Sequence, residues 1–262
     1  MSKRPHSPLP AEDEQQPRVQ PDAPADPSQV QDMIRVGQKF KRGVGKGNPG
    51  GVSVTCVGFR NIDVTSGSGN KINGIKATTL SPMKLGPVKD PTGLNGGDCL
   101  IFECYYQFSK MWKCENHFTM GTNGMEPTPK WFAFRKKGFQ LTKGKRRPFP
   151  VKTHGFPDIG YYNGQFMSYI EGRKKVYVPV YGDLIDELPI MDELEKLVKS
   201  GQNVLFIDGD GPDREEYPNG MPMTPENWSK RLNDKTKMMG HGDVCAKKLA
   251  MRCFPHLQFS DA

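Results

Sequence analysis

No C-x2-C pair occurs anywhere in the 262 residues; the six cysteines stand at 56, 99, 104, 114, 245 and 253. Zinc ligands usually come at that close spacing, so no structural metal is expected. Without a signal peptide a disulfide framework is not expected either, and reduced, mostly buried thiols are the default. No run approaches the roughly eighteen apolar residues of a membrane span, and no apolar stretch follows Lys3 and Arg4 as in a secretory leader. These absences argue against a membrane partner and for an intracellular protein of the cytoplasm or nucleus (of a host cell, if the protein is viral). Neither G-x-x-x-x-G-K-[ST] nor a strand-flanked G-x-G-x-x-G is present, and no internal repeat is visible.

The first thirty residues have few apolar side chains to bury and are crowded with Pro, Gln, Asp and Ser. Such a segment does not recover its chain entropy, so residues 1–33 read as a disordered tail before one domain at 34–262. Those first thirty hold three basic and five acidic residues, while the remainder holds 34 and 24, a net of +10. A basic body suggests an anionic partner such as a nucleotide, phosphate or nucleic acid, or else charge that serves solubility.

Residues 34–51, with five Lys and Arg and six Gly, read as a flexible basic arm. Strands follow in GVSVTCVGFRNIDVTS and in IKATTL. The Pro- and Gly-rich stretch 81–98 is a long loop ending at Asp98, which would cap a helix over CLIFECYYQFSKMWKCENHF. Residues 160–182 read as a helix that Pro179 ends or kinks. PIMDELEKLVKSG (189–201) is an amphipathic helix with Gly201 past its end, and NVLFID (203–208) a buried central strand. A polar insertion (214–236) precedes a last helix at 243–253, introduced by His241 and Gly242. Strands first and mixed elements later predict an α+β fold rather than a doubly wound sheet.

No acid interrupts residues 130–152, which hold nine Lys and Arg, Lys136, Lys137, Arg146 and Arg147 among them, interleaved with Trp131, Phe132, Phe134, Phe139 and Phe149. That mixture suits single-stranded nucleic acid, and equally a solvated hairpin with one apolar face. His117 and His154 read as surface or packing residues.

At 100° per residue, Glu103, Gln107, Lys110 and Cys114 share one edge of an otherwise apolar helix. The edge could face water, with weak side-chain pairing, or a polar pocket. In a pocket, desolvation lowers the proton affinity of a lysine and makes it an amine nucleophile. A carboxylate two turns away could move protons or stabilise a developing sugar cation.

The segment I-F-E-C-Y-Y-Q-F-S-K-M (101–111) resembles the E-H-Y-x-Q-A-x-K helix of the NADAR (YbiA-like) N-glycosidases, with Glu103, Tyr105, Gln107 and Lys110 at matching spacings. The order of the flanking parts is similar: Ser81–Pro82 in a loop before the helix, an apolar strand ending at Asp208, and Gly240-His241-Gly242 entering a helix with K-K-L-A-M. Cys104 and Ser109 depart from the family pattern, as does M-M-G-H-G before the last helix, and about 115–152 looks like a basic insertion. The resemblance implies hydrolysis of an N-glycosidic bond in a phosphorylated, nucleotide-like molecule or an ADP-ribosylated nucleic acid, without a cofactor. It implies Lys110 as Schiff-base nucleophile and Glu103 as its assistant. Gln107, Ser81 and Asp208 would hold substrate, Tyr106 or Trp112 would stack on a base, and His241 with the following helix N-terminus would hold phosphate. The competing expectation is a basic nucleic-acid-binding or viral assembly protein on an inactive glycosidase-like fold.

Overall fold

The computed structural model describes residues 32–39, 55–93, 97–145 and 147–262. Its strands in chain order are β1 (Ile34–Gln38), β2 (Phe59–Asp63), the short pair β3 (Lys71–Ile72) and β4 (Ile75–Lys76), β5 (Lys110–Met111), β6 (Phe118–Gly121), β7 (Gly124–Pro127), β8 (Ile159–Tyr162), β9 (Gln165–Met167), β10 (Asn203–Asp208) and β11 (Met221–Pro222). The helices are α1 (Phe102–Phe108), α2 (Pro129–Phe139), α3 (Val151–His154), α4 (Tyr169–Gly172), α5 (Val178–Asp186), α6 (Pro189–Lys199), α7 (Pro225–Asn233) and α8 (His241–Cys253). Together they make one α+β domain.

The central sheet runs β11-β1-β10-β2, with β10 parallel to both neighbours and β11 antiparallel at one edge. Val204 to Asp208 are all buried, as a strand covered on both faces requires. Ile34 and Val36 pair with Val204 and Phe206 and are likewise buried. The expected basic arm therefore begins as a core strand: pairing with β10 and burial of its apolar side chains decide residues 34–38. Residues 40–54, the rest of that segment, lie outside the described residues, as do residues 1–31 of the expected tail.

The helix α6 forms as its sequence dictates. Pro189 sits in the first turn, Ile190, Met191, Leu194 and Val198 form the buried stripe, and Gly201 takes φ +87 beyond the end. Each such side chain contributes roughly 1.5–3 kcal/mol when buried. Among glycine positions, residue 201 needs the left-handed region that only Gly enters without strain.

Two expected helices are redrawn. The helix at 99–118 shrinks to α1. Its N-terminus is capped not by Asp98, which is exposed, but by the carbonyls of the preceding loop: Phe102 N–H donates to Leu85 O (2.7 Å) and Glu103 N–H to Pro82 O (3.1 Å). It ends at Ser109, whose hydroxyl bonds back to Tyr105 O at 2.7 Å, while Tyr161 N–H captures Ser109 O at 2.8 Å. The chain leaves as β5, with Lys110 opposite Gly160 of β8. Residues 160–167 form the β8–β9 hairpin, and the helix starts only at Tyr169, behind a capping box of Ser168 and Glu171. Pro179 does not end it: a π-helical turn over 173–177 precedes α5, which has the proline in its first turn, where a backbone N–H is not needed.

The basic–aromatic stretch is neither an open stacking surface nor a hairpin. It contains α2, whose Trp131, Arg135 and Phe139 are buried and whose Lys136 and Lys137 face outward. Arg135 forms a fully buried ion pair with Asp90 (2.8 Å). Arg146 lies outside the described residues. The polar insertion at 214–236 carries β11 and α7. No helix among the described residues is long and apolar enough to cross a membrane.

Candidate functional site

The segment after β2, the carboxyl end of β10, the face of α1 and the start of α8 surround a cavity of about 520 Å³. Open parallel sheets commonly offer a ligand crevice at this end of their strands. Ser81, Glu103, Tyr106, Gln107, Lys110, Trp112, Asp208 and His241 all line it. The structure thus brings together every residue that the sequence singled out for the site. Cys114, by contrast, is exposed and outside the cavity, because α1 has ended and β5 intervenes before a separate 3-10 turn over Lys113–Glu115 carries that residue.

One wall is a relay of three side chains. Gln107 Nε2 donates to Glu103 Oε1 at 2.9 Å, and Lys110 Nζ donates to Gln107 Oε1 at 3.0 Å. The ammonium also lies 4.3 Å from the Tyr106 ring centroid, a contact that favours its charged form. Burial nonetheless pushes the Lys110 ammonium down to about 8; Glu103 raises it and Arg147 lowers it further. Glu103 and Lys110 do not touch; the amide between them keeps the carboxylate from restoring the ordinary lysine value. The backbone of Lys110 is fixed as well, its carbonyl accepting from the Trp131 indole at 3.3 Å.

The opposite wall is a carboxylate–imidazole pair. Asp208 Oδ2 lies 3.1 Å from His241 Nδ1 and accepts the Gly242 N–H at 2.9 Å, while His241 Nε2 is 2.9 Å from Val64 O. A carbonyl only accepts, so this geometry suits an imidazolium donating on both sides. Burial alone would lower the imidazolium, but the Asp208 carboxylate and the Val64 carbonyl outweigh it and bring His241 up to about 9. Glycine is required on both sides of the histidine. A Cβ at Gly240 would lie 2.0 Å from the Asp208 carboxylate oxygen, and one at Gly242 2.9 Å from Asp208 Cβ.

Two expected roles change in detail. His241 supplies positive charge, but its ring donors already face Asp208 and Val64. The α8 N-terminus is similarly engaged, with Gly240 N–H donating to Asp243 Oδ2 (3.0 Å) and Gly242 N–H to Asp208. Neither is a ready phosphate cradle. Tyr106 presents no open face for a base, since Lys110 covers it and Tyr162 stacks beside it (5.7 Å). Trp112 is buried with its ring against Phe149 and His117. Exposed apolar rings at the mouth come instead from Phe156 and Tyr169, and Arg147 and Lys235 bring cations there.

Sequence reasoning missed Arg147 as a cavity residue, and Phe156, Tyr169, Tyr177 and Arg173 altogether. The S-x-x-E of Ser168–Glu171 was a legible helix start that would have put Tyr169 on α4. Nothing local marks Phe156. Ser81 is buried, and its neighbour Pro82 caps α1 through its carbonyl. His117 is a packing residue among Trp112, Phe134 and Phe149, with burial holding its imidazolium down to about 4. His154 bonds Glu115 at 3.0 Å. Among the described residues no group of three or more His, Cys, Asp or Glu could hold a metal ion. No protein-family model matches the chain, and no curated protein or solved structure is significantly similar to it.

Proposed function

We propose that the protein is an N-glycosidase that uses Lys110 as an amine nucleophile on a phosphorylated, nucleotide-like substrate or an ADP-ribosylated nucleic acid. The observation that carries this reading is the Glu103–Gln107–Lys110 relay, facing a cavity with a lysine held near the pH of the cell. About a tenth of such an amine is neutral one pH unit below its midpoint. The likeness of the α1 motif to the NADAR N-glycosidases supports the same assignment.

In this mechanism the neutral Lys110 amine attacks the anomeric carbon. The C–N bond to the base breaks, and its electron pair leaves with the base, which takes up a proton. Loss of the amine proton and opening of the sugar ring leave a Schiff base on Lys110, and water then releases the sugar and regenerates the amine. The Glu103 carboxylate stabilises positive charge that develops at the sugar. Arg147 and Lys235 at the mouth, with the His241 cation inside, favour an anionic substrate.

The test is borohydride trapping. Purified protein is incubated with nucleotide N-glycosides and with ADP-ribosylated oligonucleotides, reduced, and mapped by mass spectrometry. A sugar adduct on Lys110 is expected, and a fully active Lys110→Met variant would refute the assignment.

A second reading, a basic nucleic-acid-binding or assembly protein, rests on the outward-facing Lys136 and Lys137 and the +10 body. Because the neighbouring aromatics Trp131 and Phe139 are internal, this reading predicts phosphate contact without base stacking. Affinity for single strands that falls steeply with salt, and with Lys136→Glu and Lys137→Glu, supports it; affinity indifferent to both rules it out.

A further inference from the structure

Arg173 lies on the π-helical turn between α4 and α5, lines the cavity and is 2% exposed. A buried guanidinium is usually neutralised by a carboxylate. Arg173 instead bonds four backbone carbonyls: Nη1 is shared among Arg231 O (2.9 Å), Leu232 O (3.1 Å) and Asp234 O (3.0 Å), and Nη2 donates to Lys237 O (3.0 Å). The Tyr169 ring, 4.6 Å away, covers the cation.

We propose that Arg173 is a positioning residue of the cavity: its fork ties the carbonyls of the last turn of α7 to those of the segment after it and so holds the loop that delivers His241 to Asp208. Where Arg173 stops, a second guanidinium continues. Arg231 Nη2 donates to Met238 O (3.1 Å) and Asp210 O (3.0 Å) and pairs with Asp243 (2.9 Å), whose carboxylate receives the Gly240 N–H. The backbone is therefore tied from 231 to 243. Gly240 and Gly242 lie against Asp208 with no room for a Cβ, so slack in the loop has to open the contact between His241 and Asp208. Lysine is a poor substitute, because a single ammonium cannot span carbonyls spread over seven residues.

The test is read on the free protein, so failure of the proposed glycosidase chemistry leaves it intact. The five histidines are labelled with 15N and titrated by NMR, with a His241→Asn sample for assignment. His241 is faced by Asp208 from β10, Glu103 from α1, the Tyr181 ring from α5 and the Val64 carbonyl, with Lys110 across the cavity. In the wild type its charged form is expected to persist to about pH 9. Arg173→Met should weaken its proton affinity on the order of tenfold or more and accelerate amide exchange at 235–240 by a similar factor. Leu194→Ala, a core truncation in α6, should lower the Tm without moving the His241 midpoint. If Arg173→Met folds, an unchanged midpoint overturns the proposal. If it does not fold, Arg173→Lys decides on the same criterion, with a partial displacement expected. Loss of folding in both overturns it too, since Arg173 would then serve the whole domain rather than one loop.

Discussion

The two walls of the cavity treat their bases in opposite ways. On the α1–β5 wall a lysine is brought down to about 8; on the β10–α8 wall a histidine is brought up to about 9. Burial lowers both cations, so burial alone does not explain the difference. What differs is the contact. Lys110 meets a neutral amide oxygen and an aromatic face, with its carboxylate one residue removed; His241 meets a carboxylate directly and a carbonyl on its other nitrogen. The wide gap between the two side chains in water is thereby closed from both sides. The cavity thus sets a lysine whose proton is loosened by burial against a histidine whose charged form is held by its partners, an arrangement suited to a nucleophile on one side and fixed positive charge on the other.

The same comparison sets opposite pH dependences for stability. His241 has a folded value above its ordinary one, so its contribution is complete below about pH 6.5 and is lost as pH rises through about 9. Lys110 has a folded value below its ordinary one, so its penalty is complete below about pH 8 and is relieved between there and about 10.5.

The largest break is Lys110→Met. Glycosidase turnover and borohydride trapping should fall by on the order of a thousandfold or more. At pH 7 the Tm should rise, because the buried ammonium that the fold tolerates is gone; thermal melts by circular dichroism check this. A lowered Tm would mean that the Gln107 and Tyr106 contacts outweigh the burial penalty. Next is Asp208→Asn, which removes the contact that distinguishes the second wall. The His241 NMR titration should then move down towards or below the ordinary histidine range, since only the Val64 carbonyl and the more distant Glu103 still oppose burial, and the fall of Tm between pH 6.5 and 9 should flatten.

A smaller effect is expected from Glu103→Gln. The carboxylate raises Lys110 electrostatically from the far side of Gln107, so its loss should shift the pH at which Lys110 reacts with an amine-acylating reagent to lower values. Peptide mapping after labelling across a pH series reads this out, and an upward shift would contradict the relay. The smallest change is Trp131→Phe, which deletes the indole bond to the Lys110 carbonyl. It should cost about 1 kcal/mol in denaturant unfolding and leave the Lys110 midpoint in place.

The two walls also differ in how legible they are in the sequence. Glu103 and Gln107 sit one helical turn apart, so periodicity alone groups them. Lys110 joins them for a different reason from the one periodicity offers: the helix ends at Ser109, and the first residue of β5 happens to carry its side chain back to Gln107. Cys114, grouped with them by the same periodicity, is therefore elsewhere. Asp208 was legible as the end of a short apolar strand, and Gly240-His241-Gly242 as a turn into a helix. Their contact was not, because it joins residues 33 apart through a close approach that only tertiary packing specifies. Nothing local marked Arg173 for the cavity; the π-helical turn and the carbonyls of a distant segment put it inside.

By itself the sequence determined the α+β class, the α6 helix and the buried strand β10, because hydrophobic period, turn residues and residue chemistry are local properties; the part of the cavity lining it anticipated came through the family resemblance of the α1 motif and its flanks. The tertiary structure decided where α1 stops, that residues 34–38 are a core strand, that Trp131 and Phe139 of α2 point inward, and that the lysine of the cavity is lowered while its histidine is raised. Each of those depends on a partner far along the chain: a carbonyl that captures an N–H, a strand that completes a ladder, or a carboxylate that reaches an imidazole.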